Sequence, residues 1–222
     1  MINTTMEHDL HTRHADTIHS ADATPVRKPV IGVLALQGDF ELHGKALAEA
    51  GCEAVEVRTP EALERVSGLI IPGGESTTVG KLLNITGLAD AVRARCADGS
   101  LALFGTCMGL IVIARDIVNR HKNQYTMELL DVSVERNAYG RQVDSFEVDI
   151  PVSGVSANGG PFHAVFIRAP QIVTVGPDVE VLAEYAGRPV LVRQGRILGA
   201  CFHPEITTDT RIHGFFRDMA AC

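Results

Sequence analysis

The ten residues LALFGTCMGL, positions 101–110, limit the fold of this chain more than any other segment. An apolar run enters Gly105-Thr106-Cys107-Met108-Gly109, and a second apolar run, positions 110–117, leaves it. A buried strand that turns at once into a helix presses backbone against backbone, so the positions flanking the tip have no room for side chains and favour glycine. The turn strains the residue at its tip and lifts that side chain out at the carboxyl edge of a parallel sheet, where open α/β sheets bind ligands. Cys107 occupies the tip. The helix that follows points its first amides at the sulfur and favours a thiolate.

Such an elbow needs a parallel sheet around it, and the rest of the chain supplies one. Apolar runs at 30–36, 54–57, 68–71 and 101–104 have the length of buried strands. Stretches 40–50, 76–83, 88–97 and 110–117 have helical spacing. The second half is richer in strands, at 132–135, 146–150, 164–167, 179–183, 189–193 and 197–202, and a helix at about 211–219 closes it. The alternation predicts right-handed crossovers and a three-layer α/β fold, a mostly parallel sheet with helices on both faces. A chain of 222 residues, 45% hydrophobic and 21% charged, has enough apolar material for a single core of this kind. The domain is expected to span 29–222. Residues 1–28 are polar and aperiodic and read as a disordered extension; His8, His11, His14 and His19 in it match no compact metal-ligand spacing.

A nucleophilic thiol needs a base and a group to orient that base. Phe202-His203-Pro204-Glu205 follows the strand expected at 197–202. In an extended stretch, residues two apart share a face, so His203 can take the thiol proton while Glu205 fixes its tautomer. Pro72-Gly73-Gly74-Glu75-Ser76-Thr77-Thr78 follows the strand at 68–71; consecutive glycines let backbone N–H groups turn inward as an oxyanion hole with the amide of Met108. The loop lacks the GK[ST] of a phosphate-binding loop.

The remaining features exclude classes. A net charge of −7 argues against a nucleic-acid or anionic-membrane surface. Five scattered cysteines with no CxxC pair argue against a disulfide framework or zinc knuckle and for a reducing cytoplasm. The first 28 residues hold no apolar core of a secretory signal, and no apolar run approaches the ~20 residues of a membrane span.

PGGEST, GTCMGL and FHPE together resemble the class I (triad) glutamine amidotransferase family, whose fold is flavodoxin-like. LALQG at 34–38, ERN at 135–137, GRQVDSFE at 140–147 and FIRAP at 166–170 narrow the resemblance to the glutaminase subunits of two-protein pyridoxal 5′-phosphate synthases, over nearly all of 30–219. The resemblance implies a triad of Cys107, His203 and Glu205. It implies glutamine binding at Gly74, Glu75, Ser76, Arg136, Ile167 and Arg168, and oxyanion donors at Gly74 and Met108. It further implies hydrolysis of L-glutamine through a cysteine thioester, without metal or cofactor. The ammonia would pass to a (β/α)8-barrel synthase subunit in a large hetero-oligomer, and the glutaminase would be weak until that partner docks. Guanidinium suits such a substrate, since it meets an α-carboxylate with two parallel hydrogen bonds. Met108 stands where the family usually carries alanine, and the tail before Pro29 is longer than usual. The glutaminase of imidazole glycerol phosphate synthesis would keep the elbow and FHPE without GRQVDSFE or FIRAP. A γ-glutamyl peptidase or DJ-1-like protein would not be expected to join PGGEST to HPE, and a purely structural subunit has no need of all three triad residues.

Overall fold

The computed structural model describes residues 28–120, 124–136, 145–155 and 159–222. The expected extension at 1–28 lies outside them but for Lys28, and so does 140–144 of the GRQVDSFE segment. In chain order, β1 (Val30–Leu34), α1 (Phe40–Glu49), β2 (Glu53–Val57), the single turn α2 (Pro60–Leu63), β3 (Gly68–Ile71), α3 (Ser76–Ile85), α4 (Leu88–Ala97) and β4 (Ala102–Thr106) build the first half. The turn α2 starts as its sequence dictates: Pro60 needs no amide partner there, and the Thr59 hydroxyl accepts from the Ala62 amide. The second half contains α5 (Met108–Ile113), β5 (Ala114–Ile117), β6 (Leu130–Glu135), β7 (Ser145–Ile150), β8 (Phe162–Ile167), β9 (Gln171–Val175), β10 (Glu180–Tyr185), β11 (Arg188–Gln194), β12 (Ile197–Ala200) and α6 (Arg211–Ala221).

The main sheet has the order β10-β11-β12-β4-β3-β1-β2. Pairing is parallel from β12 across to β2 and antiparallel at β12–β11 and β11–β10. Every residue of β3 and β4 is buried, as a strand covered on both faces requires. After β1 the chain steps outward to β2 and then crosses back to β3. Right-handed crossovers in opposite directions put their helices on opposite faces, and α1 accordingly packs with α6 while α3 packs with α4 and α5. The gap between β1 and β3 is the switch point where such sheets bind ligands.

Three expectations are corrected. The helix expected at 110–117 starts two residues earlier and stops at Ile113, and 114–117 forms β5, parallel to β6. The last helical carbonyls are taken from outside: Met127 N–H donates to Val112 O (2.7 Å) and Leu129 N–H to Ile113 O (3.0 Å). No local pattern announces that capture. Second, β9 was not anticipated; among its residues only Ile172 is buried, so it lacks the alternation that marks a strand. Third, β12 ends at Ala200, so His203-Pro204-Glu205 lies in a turn rather than in the extended stretch expected. The strands of the second half also divide, with β5-β6-β9 and β7-β8 forming small separate sheets. No helix among the described residues is long and apolar enough to cross a membrane.

Candidate active site

The elbow is built by close backbone approach. A Cβ on Gly105 would lie 2.6 Å from the Gly109 carbonyl oxygen, and one on Gly109 would overlap the carbonyl oxygen of Ile71 in β3. Between them Cys107 takes φ 49°, ψ −108°, in the left-handed half of backbone space that a residue with a Cβ avoids unless its surroundings hold it there. The hold is visible: Cys107 N–H continues the ladder by donating to Ala200 O at 2.8 Å, tying the elbow to the strand that leads to His203. The short helix α5 is buried along its whole length.

His203 is fixed from the other side. Its N–H donates to Val165 O of β8 at 2.9 Å, and its Nδ1–H donates to Oε1 of Glu205 at 2.7 Å. With Nδ1 engaged, Nε2 is the nitrogen left for the thiol. Burial alone would lower the pKa of this imidazole; hydrogen bonds with Cys107 and Glu205, and their negative charge, push it up to about 10. Burial opposes the Glu205 anion, yet the neighbouring histidines bring its pKa below the usual carboxylate range. Gly73 lies flat against the His203 ring, where a Cβ would meet Cε1 at 2.5 Å.

A cavity of about 460 Å³ opens over the sulfur. Its walls include Gln37, Gly38 and Asp39 from the loop after β1, Gly73, Gly74 and Glu75 from the loop after β3, and Cys107, Met108 and Ile111 at the elbow. The small sheets deliver Arg136 after β6 and Ile167 and Arg168 at the end of β8, and His203 completes the wall. Arg168 is turned by a positive φ of 43°. Cys107 Sγ also lies 3.7 Å from the Ile167 carbonyl oxygen. Met108 is the first residue of α5, so its amide has no partner within the helix, while its side chain is 3% exposed and packs in the core. The cavity thus gathers the residues named from the sequence, with two exceptions. Glu205 stands behind His203, and Ser76 lies in the first turn of α3 with Oγ buried and without a hydrogen bond. Glu75 reaches the wall but spends both carboxylate oxygens on the amides of Thr77 and Thr78 (2.9 and 2.7 Å), and the bonds to the Thr78 end of the helix bring its pKa down to about 2.

Sequence reasoning missed Gln37 as a contributor, although it lies in the LALQG motif. Its Oε1 accepts from the Glu75 amide at 2.9 Å and anchors the glycine loop. It also missed two fully buried histidines, His43 of α1 and His213 of α6. Burial lowers the pKa of both, His213 to about 3. A histidine held neutral in the folded state but free to charge in the unfolded chain stabilises the fold above its unfolded pKa of about 6.5, and that stability is lost as pH falls toward the folded value. Glu205, with a depressed pKa, adds to the loss only below about pH 4.5, and His203, with a raised one, is charged in both states below about 6.5. Urea unfolding between pH 6.5 and 4.8 is therefore expected to lose stability as pH falls, by up to about 1.4 kcal/mol per pH unit from His213, with a loss of the same sign from His43. An unchanged urea midpoint over that interval would contradict neutral burial.

Comparison with known proteins agrees with this geometry. The model of the SNO glutamine amidotransferase family matches residues 33–221. Pyridoxal 5′-phosphate synthase subunit PdxT of Thermus thermophilus is 54% identical over 191 residues, covering 86% of this chain and 97% of that protein. The subunit of the same name from Acidothermus cellulolyticus is 52% identical over 202 residues, covering 89% and 96%. A crystal structure described as a glutamine amidotransferase superposes with a TM-score of 0.81 at 53% identity, covering 86% of this chain and 99% of that one. PurLQS from Thermotoga maritima, at 17% identity and a TM-score of 0.60 over 88% of this chain and 96% of its own, shares the fold. The chain belongs to the SNO glutamine amidotransferase family.

Proposed function

We propose that this chain is the glutaminase subunit of a two-protein pyridoxal 5′-phosphate synthase, hydrolysing L-glutamine and handing the ammonia to a (β/α)8-barrel synthase subunit in a large hetero-oligomer. The observation that carries the reading is the convergence of Cys107 and His203, far apart in the chain, on one cavity at the sheet's switch point, with Glu205 hydrogen-bonded behind His203. The likeness to subunits named PdxT at 50–54% identity supports the pathway. Five unpaired cysteines suit work in the reducing cytoplasm.

Each step uses groups already described. The Cys107 thiolate attacks the side-chain amide carbon of glutamine, and the amides of Gly74 and Met108 take the oxyanion. His203, charged by the thiol proton, returns it to the leaving nitrogen, so ammonia departs and a thioester remains. The same imidazole then draws a proton from water, which cleaves the thioester to glutamate and restores the thiol. Arg136, Ile167, Arg168, Gly74 and Glu75, with Ser76 beside them, bind the amino-acid end of the substrate. Arg136 or Arg168 is suited to the α-carboxylate. The test is ammonia release from glutamine, alone and with the synthase subunit. Slow release that the synthase accelerates is the expected result. Failure to hydrolyse glutamine in the complex overturns the activity, and acceleration only by a different synthase reassigns the pathway.

A further inference from the structure

Behind the triad lies a chain of buried side chains that the reaction as described does not use. His43 Nε2 is 3.3 Å from Oε2 of Glu205 and 3.2 Å from the Thr106 hydroxyl, and His43 Nδ1 is 3.0 Å from Nε2 of His213. His43, Thr106 and His213 are all fully buried, and so is the carboxylate of Glu205. Oε2 has no aligned hydrogen bond, and neither has Nδ1 of His213.

Those two facts favour one placement of the protons. Were His43 to carry its proton on Nδ1, its Nε2 lone pair could accept from the Thr106 hydroxyl but would also face a carboxylate oxygen, and His213 would bury an N–H with no acceptor. The opposite arrangement has His213 Nε2–H donating to His43 Nδ1 and His43 Nε2–H directed at Glu205 and Thr106. It leaves only a bare ring nitrogen unpaired, and a buried anion gains a donor it needs. Glu205 then lies between two imidazole N–H groups: His203 donates to Oε1, and His43 Nε2–H, bonded to the Thr106 hydroxyl, faces Oε2 at 3.3 Å as a charge contact.

We infer that His43 is a positioning residue of the glutaminase reaction: its Nε2–H, in the tautomer selected by His213 and steadied by the Thr106 hydroxyl, sets a positive N–H end 3.3 Å from the second oxygen of Glu205 and so steadies the carboxylate whose first oxygen keeps His203 aimed at Cys107. The inference rests on the reading of the triad given above. It extends the triad through the sheet to helices α1 and α6, and it makes the packing of those helices part of the site.

The test compares His43→Leu and His43→Gln, each assembled with the synthase subunit. Leucine fills the space and removes the donor; the glutamine amide restores an N–H at nearly the same reach. Expected for leucine is a kcat lower by about 10- to 100-fold with KM for glutamine changed less than about threefold, and for glutamine recovery of most of that loss. Alkylation of Cys107 by iodoacetamide at pH 7 needs no substrate turnover and is expected to slow in the leucine chain and recover in the glutamine chain. In a Glu205→Gln background, where no carboxylate remains to be held, His43→Leu should alter alkylation less than about twofold. Should the leucine chain not fold, His213→Leu takes its place, since it removes the donor that selects the tautomer and leaves the His43 ring. A folded variant with kcat and alkylation unchanged overturns the inference while leaving the glutaminase reading intact, and so does an equal loss in the Glu205→Gln background. A native complex that does not hydrolyse glutamine overturns the glutaminase reading, and the alkylation rates still decide the role of His43.

Discussion

Replacing Cys107 with alanine is expected to lower glutamine hydrolysis in the synthase complex by ~10⁴-fold or more, because the covalent route closes and only oriented binding beside the oxyanion donors remains. The fold should tolerate the change. Alanine keeps the Cβ already accommodated at the elbow's positive φ, and only one atom leaves a site that is 8% exposed. The measurement is ammonia release by native and variant complexes, with circular dichroism to show equal folding. A diazo-ketone analogue of glutamine should label the native sulfur and leave the variant unmodified. Equal ammonia release by both complexes would remove Cys107 as the nucleophile, and with it the sequence of steps proposed here.

Gly109→Ala is expected to be among the most damaging added methyls at the described residues. The added carbon meets the Ile71 carbonyl oxygen and carbon, which are backbone of a fully buried strand and have no rotamer by which to escape. Either β3 moves away from β4 or α5 tilts off the sheet, and both break packing at the centre of the core. Overpacking typically costs about 1–3 kcal/mol where side chains can yield; against backbone the loss should reach the upper end or beyond. Gly44→Ala in α1 is the matched control. A Cβ there meets nothing within 4 Å, so the substitution should stabilise by about 0.5–1 kcal/mol through helix propensity. Urea melts of the two variants should therefore shift in opposite directions. A Gly109→Ala chain as stable as the native one would mean that the elbow is looser than the close approach of β3, β4 and α5 requires.

The glycines of the elbow show what kind of information a sequence carries. Gly105 and Gly109 bracket Cys107 at the spacing of a tight strand-to-helix turn, so the elbow that carries Cys107 was legible before any coordinates. The pairing of His203 with Glu205 was legible too, although for the wrong local reason: the two meet at 2.7 Å across a turn, not along one face of a strand. Hydrophobic runs found the buried strands of the main sheet because burial on both faces demands unbroken apolar sequence. They failed at β9, which is mostly exposed, and at the end of α5, where carbonyls are taken by the segment 126–129.

The sequence by itself determined which chemistry was possible: a thiol at a strained tip, a base and carboxylate two residues apart, and a glycine loop able to present amides. These are short-range properties, written in spacings of a few residues. Only the tertiary structure decided that Arg136 and Arg168 arrive at the same cavity on two small sheets, and that His43 and His213 stand behind Glu205. His43 and His213 are 170 positions apart in the chain and touch because α1 and α6 pack on one face of the sheet. Helical periodicity tells which side of a helix turns inward, but the partner met there depends on strand order and crossover hand, which no local pattern encodes.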